Sequence, residues 1–279
     1  MNKSLLQLYG LKWNPFATDI PTEALYVSEA IEAFCWRIEN TLVREGGFAL
    51  ITGDPGTGKS VTLRLLDARL SKLPDLHVAP LTHPSATVVD FYRELGDLFG
   101  VDLRPHNRWG GFKMLRRTWL AHMDNTLMRP VLLIDEAQEC SPVVLSELRL
   151  LSSADFDARS LLSVILAGDQ RLTELMRRDI LLPLGSRMRV RLPLEAASRE
   201  QLQDTLNHLM RSAGNPNLLP KELVMTLTEH ALGNHRVLVN LANELLSTAA
   251  QRERDVIDQQ LYFEVFQADA TPRKRARST

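Results

Sequence analysis

The sequence predicts an α/β protein: a five-stranded parallel sheet covered by helices on both faces, with a small all-helical domain behind it. Three observations carry this. Short apolar runs alternate with helical stretches through the first 195 residues. The first run leads into a glycine-rich turn that opens a helix. After Pro193 the strand-like runs stop and only helical patterns follow.

Residues 1–22 hold Trp13, Asn14, Pro15, Phe16 and Pro21 without periodicity, which predicts an extended arm laid on the core. Ser28 then caps a helical run with apolar residues at Ala30, Ile31, Phe34, Ile38 and Leu42, stopped by Gly46-Gly47. Phe48 to Thr52 is the first strand, and a helix follows from Lys59 to about Ser71. Strands are expected at Leu76–Leu81, Val131–Ile134, Leu161–Ala167 and Val190–Leu194, with helices near 86–99 and 110–128. Ser198–Ser212, Pro220–Leu232 and Arg236–Gln251 read as helices separated by Gly214-Asn215-Pro216 and Gly233-Asn234, with a fourth near 255–267. The expected domains are the arm at 1–22, the α/β domain at 23–195, a helical lid domain at 196–267 and a basic, disordered tail at 268–279.

Composition narrows the class. Hydrophobic residues make up 44% of the 279 and charged residues 24%, which excludes global disorder. Lys plus Arg total 33 and Asp plus Glu 34, so overall charge says nothing about nucleic acid and only local clusters can. Cys35 and Cys140 stand in no metal or redox spacing and read as free thiols of a reducing cytosol. The seven histidines show no ligand spacing, so no structural metal is expected. The longest apolar run, Leu161–Gly168, is far short of the ~20 residues that span a bilayer. The N-terminus lacks the features of a signal peptide, and a cytoplasmic protein is expected.

The chemistry concentrates in two motifs. Gly53-Asp54-Pro55-Gly56-Thr57-Gly58-Lys59-Ser60 fits G-x-x-x-x-G-K-[ST] between a buried strand and a helix. In such a loop, here Gly53, Pro55, Gly56, Thr57 and Gly58, the glycines let backbone N–H groups converge on phosphate oxygens at a helix N-terminus, Lys59 reaches the β- and γ-phosphates, and Ser60 binds Mg²⁺. Val131–Ile134 followed by Asp135 and Glu136 is the Walker B pattern: Asp135 is expected on Mg²⁺ and Glu136 on the attacking water. The guanine-reading [NT]-K-x-D motif is absent, so ATP is the expected nucleotide, hydrolysed to ADP and phosphate.

Further polar residues complete a set. Asp169, after the fourth strand, falls where ring-forming ATPases place a residue that positions the water, though it equally suits a helix cap. Arg187, with Arg189 as the alternative, stands where an arginine reaches the γ-phosphate of a neighbouring subunit. Arg236, in Gly233-Asn234-His235-Arg236, takes the place of a second sensor. In this order they point to an AAA+ ATPase.

The chain resembles the ExeA-like AAA+ ATPases, whose relatives include the transposition regulators TnsC, TniB and MuB. The residues that carry the resemblance are Leu8-Tyr9-Gly10-Leu11 with Asn14-Pro15-Phe16, Leu25-Tyr26, the loop at 53–60, Ile134-Asp135-Glu136-Ala137-Gln138, Leu145, Leu148, Leu150 and Leu151, the block at 165–172, and 233–236. They span residues 8 to about 250. Members often carry Gln-Pro where this chain has Asp169-Gln170, a departure at the sensor position. The resemblance implies a bacterial ATPase forming a homo-oligomer, ring or helical filament. ExeA itself adds a transmembrane segment and a peptidoglycan-binding region that this sequence lacks. A transposition helper is therefore expected, acting on double-stranded DNA with a DDE transposase and a targeting factor, without a membrane. A secretion-assembly ATPase and a protein-only signalling switch are the alternatives.

Residues 104–117 contain Arg104, Arg108, Lys113, Arg116 and Arg117 with Trp109 and Phe112 and no acidic residue. They are the expected DNA contacts, made to backbone phosphates and so independent of sequence. One solvated helix face with two core aromatics explains the same pattern. The basic run 273–277 is either a second contact or an inert tail.

Overall fold

The computed structural model describes residues 2–84, 87–103 and 107–266. Val27–Glu195 form one compact unit. The other unit combines Met1–Tyr26 with the helices that begin after Ala196.

In chain order the elements up to Glu195 are α1 (Asn2–Tyr9), α2 (Glu29–Arg37), α3 (Val43–Glu45), β1 (Gly47–Gly53), α4 (Lys59–Leu70), β2 (Leu76–Leu81), α5 (Val88–Phe99), α6 (Arg108–Asn125), β3 (Arg129–Ile134), α7 (Pro142–Ser152), β4 (Ser153–Ala154), β5 (Arg159–Ser160), β6 (Ser163–Gly168), α8 (Gln170–Met176), α9 (Leu182–Gly185) and β7 (Met188–Leu194). The main sheet has five strands in the order β2-β3-β6-β1-β7, and every neighbouring pair is parallel. The three inner strands explain the apolar runs: Phe48–Ile51, Val131–Ile134 and Val164–Ala167 are buried, as strands covered on both faces must be. The edge strand β7 alternates instead, with Arg189, Arg191 and Pro193 exposed. Proline suits such an edge, where its missing N–H breaks no ladder bond.

Parallel pairing brings the ends of β1, β3 and β6 to one edge of the sheet. That edge is where ligands bind in open α/β folds. The glycine loop follows β1, Asp135 follows β3 and Asp169 follows β6.

The structure adds features that the pattern did not predict. After α2 the chain passes through a π-type turn, Ile38–Leu42, before Gly46 and Gly47 end the segment at positive φ. Between α7 and β6, β4 and β5 form a short antiparallel hairpin whose tip holds Asp155 and Phe156 in left-handed conformation.

In the second unit α10 (Arg199–Ala213) carries a reciprocal capping box between Ser198 and Gln201. It packs with α11 (Lys221–His230), α12 (His235–Gln251) and α13 (Gln259–Phe266). The arm differs from its expectation. Asn2–Tyr9 is helical, because no proline precedes Pro15 and Leu5 and Leu6 lie against the apolar cluster of this unit. Tyr9, Leu11, Phe16 and Leu25 are buried with Leu206, Met210 and Leu245. Tyr9 donates its hydroxyl to the Arg254 carbonyl at 2.7 Å, and Asn215 returns a bond to the Tyr9 carbonyl at 2.8 Å. The arm is thus part of the helical unit's core.

Candidate active site

The loop after β1 is held by its own hydrogen bonds. The Thr57 hydroxyl donates to the Asp54 carbonyl at 2.8 Å. Gly58 ends the loop at φ +108°, a conformation open to glycine and strained for side chains, and α4 starts at the next residue. Lys59 is buried, and its ammonium donates to the carbonyls of Gly53 at 2.8 Å and Asp54 at 3.1 Å. A buried cation at a helix N-terminus, beside a loop whose backbone turns through left-handed glycines at 56 and 58, is a site built for an anion. Ser60 is exposed in the first turn of α4.

β3 and β1 lie on either side of β6, so the two motifs stand about 10 Å apart across the sheet edge. Asp135 accepts the Glu136 N–H at 2.9 Å. Glu136 has φ +49° and ψ +40° and precedes a 3₁₀ turn at Ala137–Glu139. A left-handed non-glycine residue costs about 1–2 kcal/mol, and such positions cluster at functional sites. The side chain of Gln138, buried beneath this turn, donates its amide to the Glu136 carboxylate.

Asp169 does not face the loop as a free carboxylate. It caps α8 through the Arg171 N–H at 2.9 Å and accepts from the Arg171 guanidinium, which holds its carboxyl below the usual range. The group that reaches the glycine loop is the next residue, Gln170, whose amide lies 3.4 Å from the Asp54 carboxylate. Arg187 donates to the Pro183 carbonyl at 2.7 Å and immediately precedes β7. In the register of β7 on β1, Met188 pairs with Phe48 and Leu194 with Gly53. Arg187 therefore sits at the opposite end of the sheet from its own glycine loop, roughly 20 Å away along the strand. Arg189, at the same end, is paired with Glu45 at 2.8 Å. Arg236 is exposed at the N-terminus of α12, where the Asn234 side chain accepts its backbone N–H at 3.0 Å.

This arrangement has counterparts among known proteins. Residues 43–176 match the family described as an AAA domain. Over 252 residues the chain is 31% identical to the General secretion pathway protein A of Aeromonas hydrophila, covering 88% of this chain and 45% of that protein. The chain thus spans less than half the length of this curated relative. Among solved structures it is similar to the Cdc6p protein of Pyrobaculum aerophilum, with a TM-score of 0.70, 17% identity and coverage of 87% of this chain and 67% of that one. It is also similar to domain III of the replication initiation protein DnaA of Thermotoga maritima, with a TM-score of 0.63, 19% identity and coverage of 92% and 99%. At such identities the two structures speak for the fold: a P-loop AAA+ architecture around a five-stranded parallel sheet.

The basic segment lies on α6, with Arg104 outside the described residues. The five cations do not form one open row, because two of them turn to α7. Arg108 pairs with Glu147, whose buried carboxylate also accepts the Tyr92 hydroxyl at 2.8 Å. Arg116 donates to the carbonyls of Leu150 at 3.0 Å and Leu151 at 3.1 Å, capping the end of α7. Lys113 and Arg117 remain exposed. Trp109, itself exposed, stacks on Phe112 at 5.4 Å, and the Lys113 ammonium lies 4.9 Å over its ring. The basic run 273–277 lies outside the described residues.

Three participants escaped the sequence reading. Gln138 was noted only as part of a motif, Gln170 only as a departure, and Glu147 not at all. A glutamate among Leu145, Leu148 and Leu151, on the apolar face of a helix, was the available signal that a buried partner was needed. No helix among the described residues is long and apolar enough to cross a membrane. No cluster of three metal-ligating side chains occurs among them.

Proposed function

We propose that the AAA domain binds and hydrolyses ATP, and that ATP drives the chain into a homo-oligomer. The observation that carries this is the placing of Lys59 and Glu136 at the ends of two strands that flank β6. Lys59 binds the β- and γ-phosphates, and the loop N–H groups of residues 56–60 orient them. Ser60 and Asp135 are hard oxygen donors at the same sheet edge, the kind of set that Mg²⁺ takes. Bound there, the ion neutralises phosphate charge. Glu136 polarises the attacking water and accepts its proton. Gln170, which reaches the glycine loop, suits the sensor position better than Asp169, whose carboxylate is taken up by α8 and Arg171. Arg187, remote from its own loop, serves a neighbouring subunit, and Arg236 is the second sensor. The test is Glu136→Gln: nucleotide binding is retained and turnover falls about 100-fold or more. Near-normal turnover overturns the assignment.

Two uses of the cycle have support. Identity of 31% to General secretion pathway protein A, along most of this chain, supports an ExeA-like assembly ATPase. The exposed Lys113 and Arg117, on one face of α6 with Trp109, support a second reading, a transposition helper on double-stranded DNA. ATP turnover and oligomer size with and without duplex DNA separate them. Stimulation by any duplex supports the second; indifference to DNA under every nucleotide condition leaves a protein-directed assembly.

A further inference from the structure

Glu136 and the segment after β6 are joined twice. Inside, the Gln138 side chain gives its N–H to the Glu136 carboxylate, and its oxygen accepts the Asp169 N–H at 3.2 Å. Outside, Arg171 bridges Glu139 and Asp169, each at 2.8 Å. The amide of Gln138 has one workable orientation. Reversed, its oxygen faces a carboxylate and its NH₂ faces an N–H. The space is equally specific: a Cβ at Gly168 would stand 2.5 Å from the Gln138 oxygen, so β6 ends in the residue that admits this side chain. The next residue but one, Gln170, touches Asp54 of the glycine loop. Three hydrogen bonds, joined through the Asp169-Gln170 backbone, thus run from the glycine loop, through the end of β6 and Gln138, to Glu136.

We propose that Gln138 is a positioning residue that sets the Glu136 carboxylate according to the state of the glycine loop. This rests on the reading of Glu136 as the group that polarises water. Glu136 is held in a left-handed conformation by few contacts: its N–H on Asp135, its carbonyl accepting the Glu139 N–H at 2.9 Å, and the Gln138 amide on its carboxylate. Only the last aims the carboxylate. A displacement of the β6 end as phosphates enter or leave the loop is passed to that carboxylate, so binding and hydrolysis are coupled within one subunit.

The experiment uses two variants. Gln138→Leu removes both bonds at similar volume. Gln138→Glu keeps the acceptor for Asp169 and makes the donor depend on protonation: a neutral carboxyl donates to Glu136 as the amide does, while an ionised one repels it. Turnover is measured from pH 6 to 9 beside affinity for a fluorescent ATP analogue. For Gln138→Leu, kcat falls about 100-fold, the scale of a misplaced catalytic group, with affinity within about twofold of wild type. For Gln138→Glu, activity declines with rising pH across a range where wild type is level. A packing role does not produce that profile. Wild-type kcat in both variants, or loss of affinity in step with kcat, overturns the proposal. If Gln138→Leu melts below the assay temperature, the pH profile of Gln138→Glu decides alone. Glu136→Gln, run in parallel, separates the two claims. If it still turns over, the base assignment fails and the proposal with it. If it is inactive while both Gln138 variants are normal, only the positioning role fails.

Discussion

The guanidinium of Arg108 pairs with the carboxylate of Glu147, a buried group on α7 that also accepts the hydroxyl of Tyr92. Burial and this carboxylate push the Tyr92 phenol above its usual range, so it stays a donor. The pair ties the start of α6 to α7 and gives Arg108 a structural task.

Arg108→Ala should therefore cost stability. Removing one partner leaves a buried acceptor short of a charged donor, about 1–2 kcal/mol here, the low end of the range because Arg108 is itself open to solvent. Chemical denaturation checks this. Adding Glu147→Gln should return part of the loss, since the neutral amide still meets Tyr92 and no longer buries a charge. Equal stability of Arg108→Ala and wild type contradicts the role.

For DNA, the exposed cations carry the expectation. If oligomers lie along a duplex, each phosphate contact removed should lower the log–log salt slope by about 0.9. Lys113→Ala and Arg117→Ala are the variants to compare, across a salt series with a slowly hydrolysed ATP analogue. Oligomers multiply these weak contacts, because later ones become effectively intramolecular. An unchanged slope in the double variant moves any DNA surface off α6.

Arg187→Ala should bind ATP about as well as wild type and lose most hydrolysis together with ATP-dependent oligomers. The reason is its place: just before β7 it lies far from its own loop, so the proposed action on nucleotide falls to a neighbour's site. Mixing it with Lys59→Ala subunits should restore some turnover, since each supplies what the other lacks. Full activity of Arg187→Ala alone excludes the role.

The helical unit should lose stability in mild acid. His235, at the first position of α12 and 3.4 Å from the Thr205 hydroxyl, has its pKa lowered from 6.5 by burial. A lowered folded value means that its contribution is present above pH 6.5 and is lost as pH falls through the folded pKa. The positive end of the α12 dipole acts in the same direction. Melting temperature between pH 7.5 and 5 should fall less in His235→Gln than in wild type; parallel curves contradict the assignment.

How much was legible in advance follows from the range of the interactions. Phe48–Ile51, Val131–Ile134 and Val164–Ala167 were readable because strands buried on both faces must be apolar throughout, and local composition records that. The glycine loop was readable because every residue that shapes it lies within eight positions, 53–60. The helix cap at Ser28 acts over three residues and showed equally well. What the sequence could not decide depends on pairs far apart along the chain. Gln138 meets Asp169 across 31 positions, Arg108 meets Glu147 across 39, and Gln170 meets Asp54 across 116. Each is a polar side chain whose partner is chosen by strand order and helix packing, and composition carries no trace of that choice. The same holds for the arm, whose Tyr9 bonds a carbonyl 245 positions away. From the sequence alone came the expected class of chemistry and the strand ends proposed to hold it. The tertiary structure decided which polar groups face one another at those ends, because only the packed sheet brings the ends of β1, β3 and β6 within hydrogen-bonding reach.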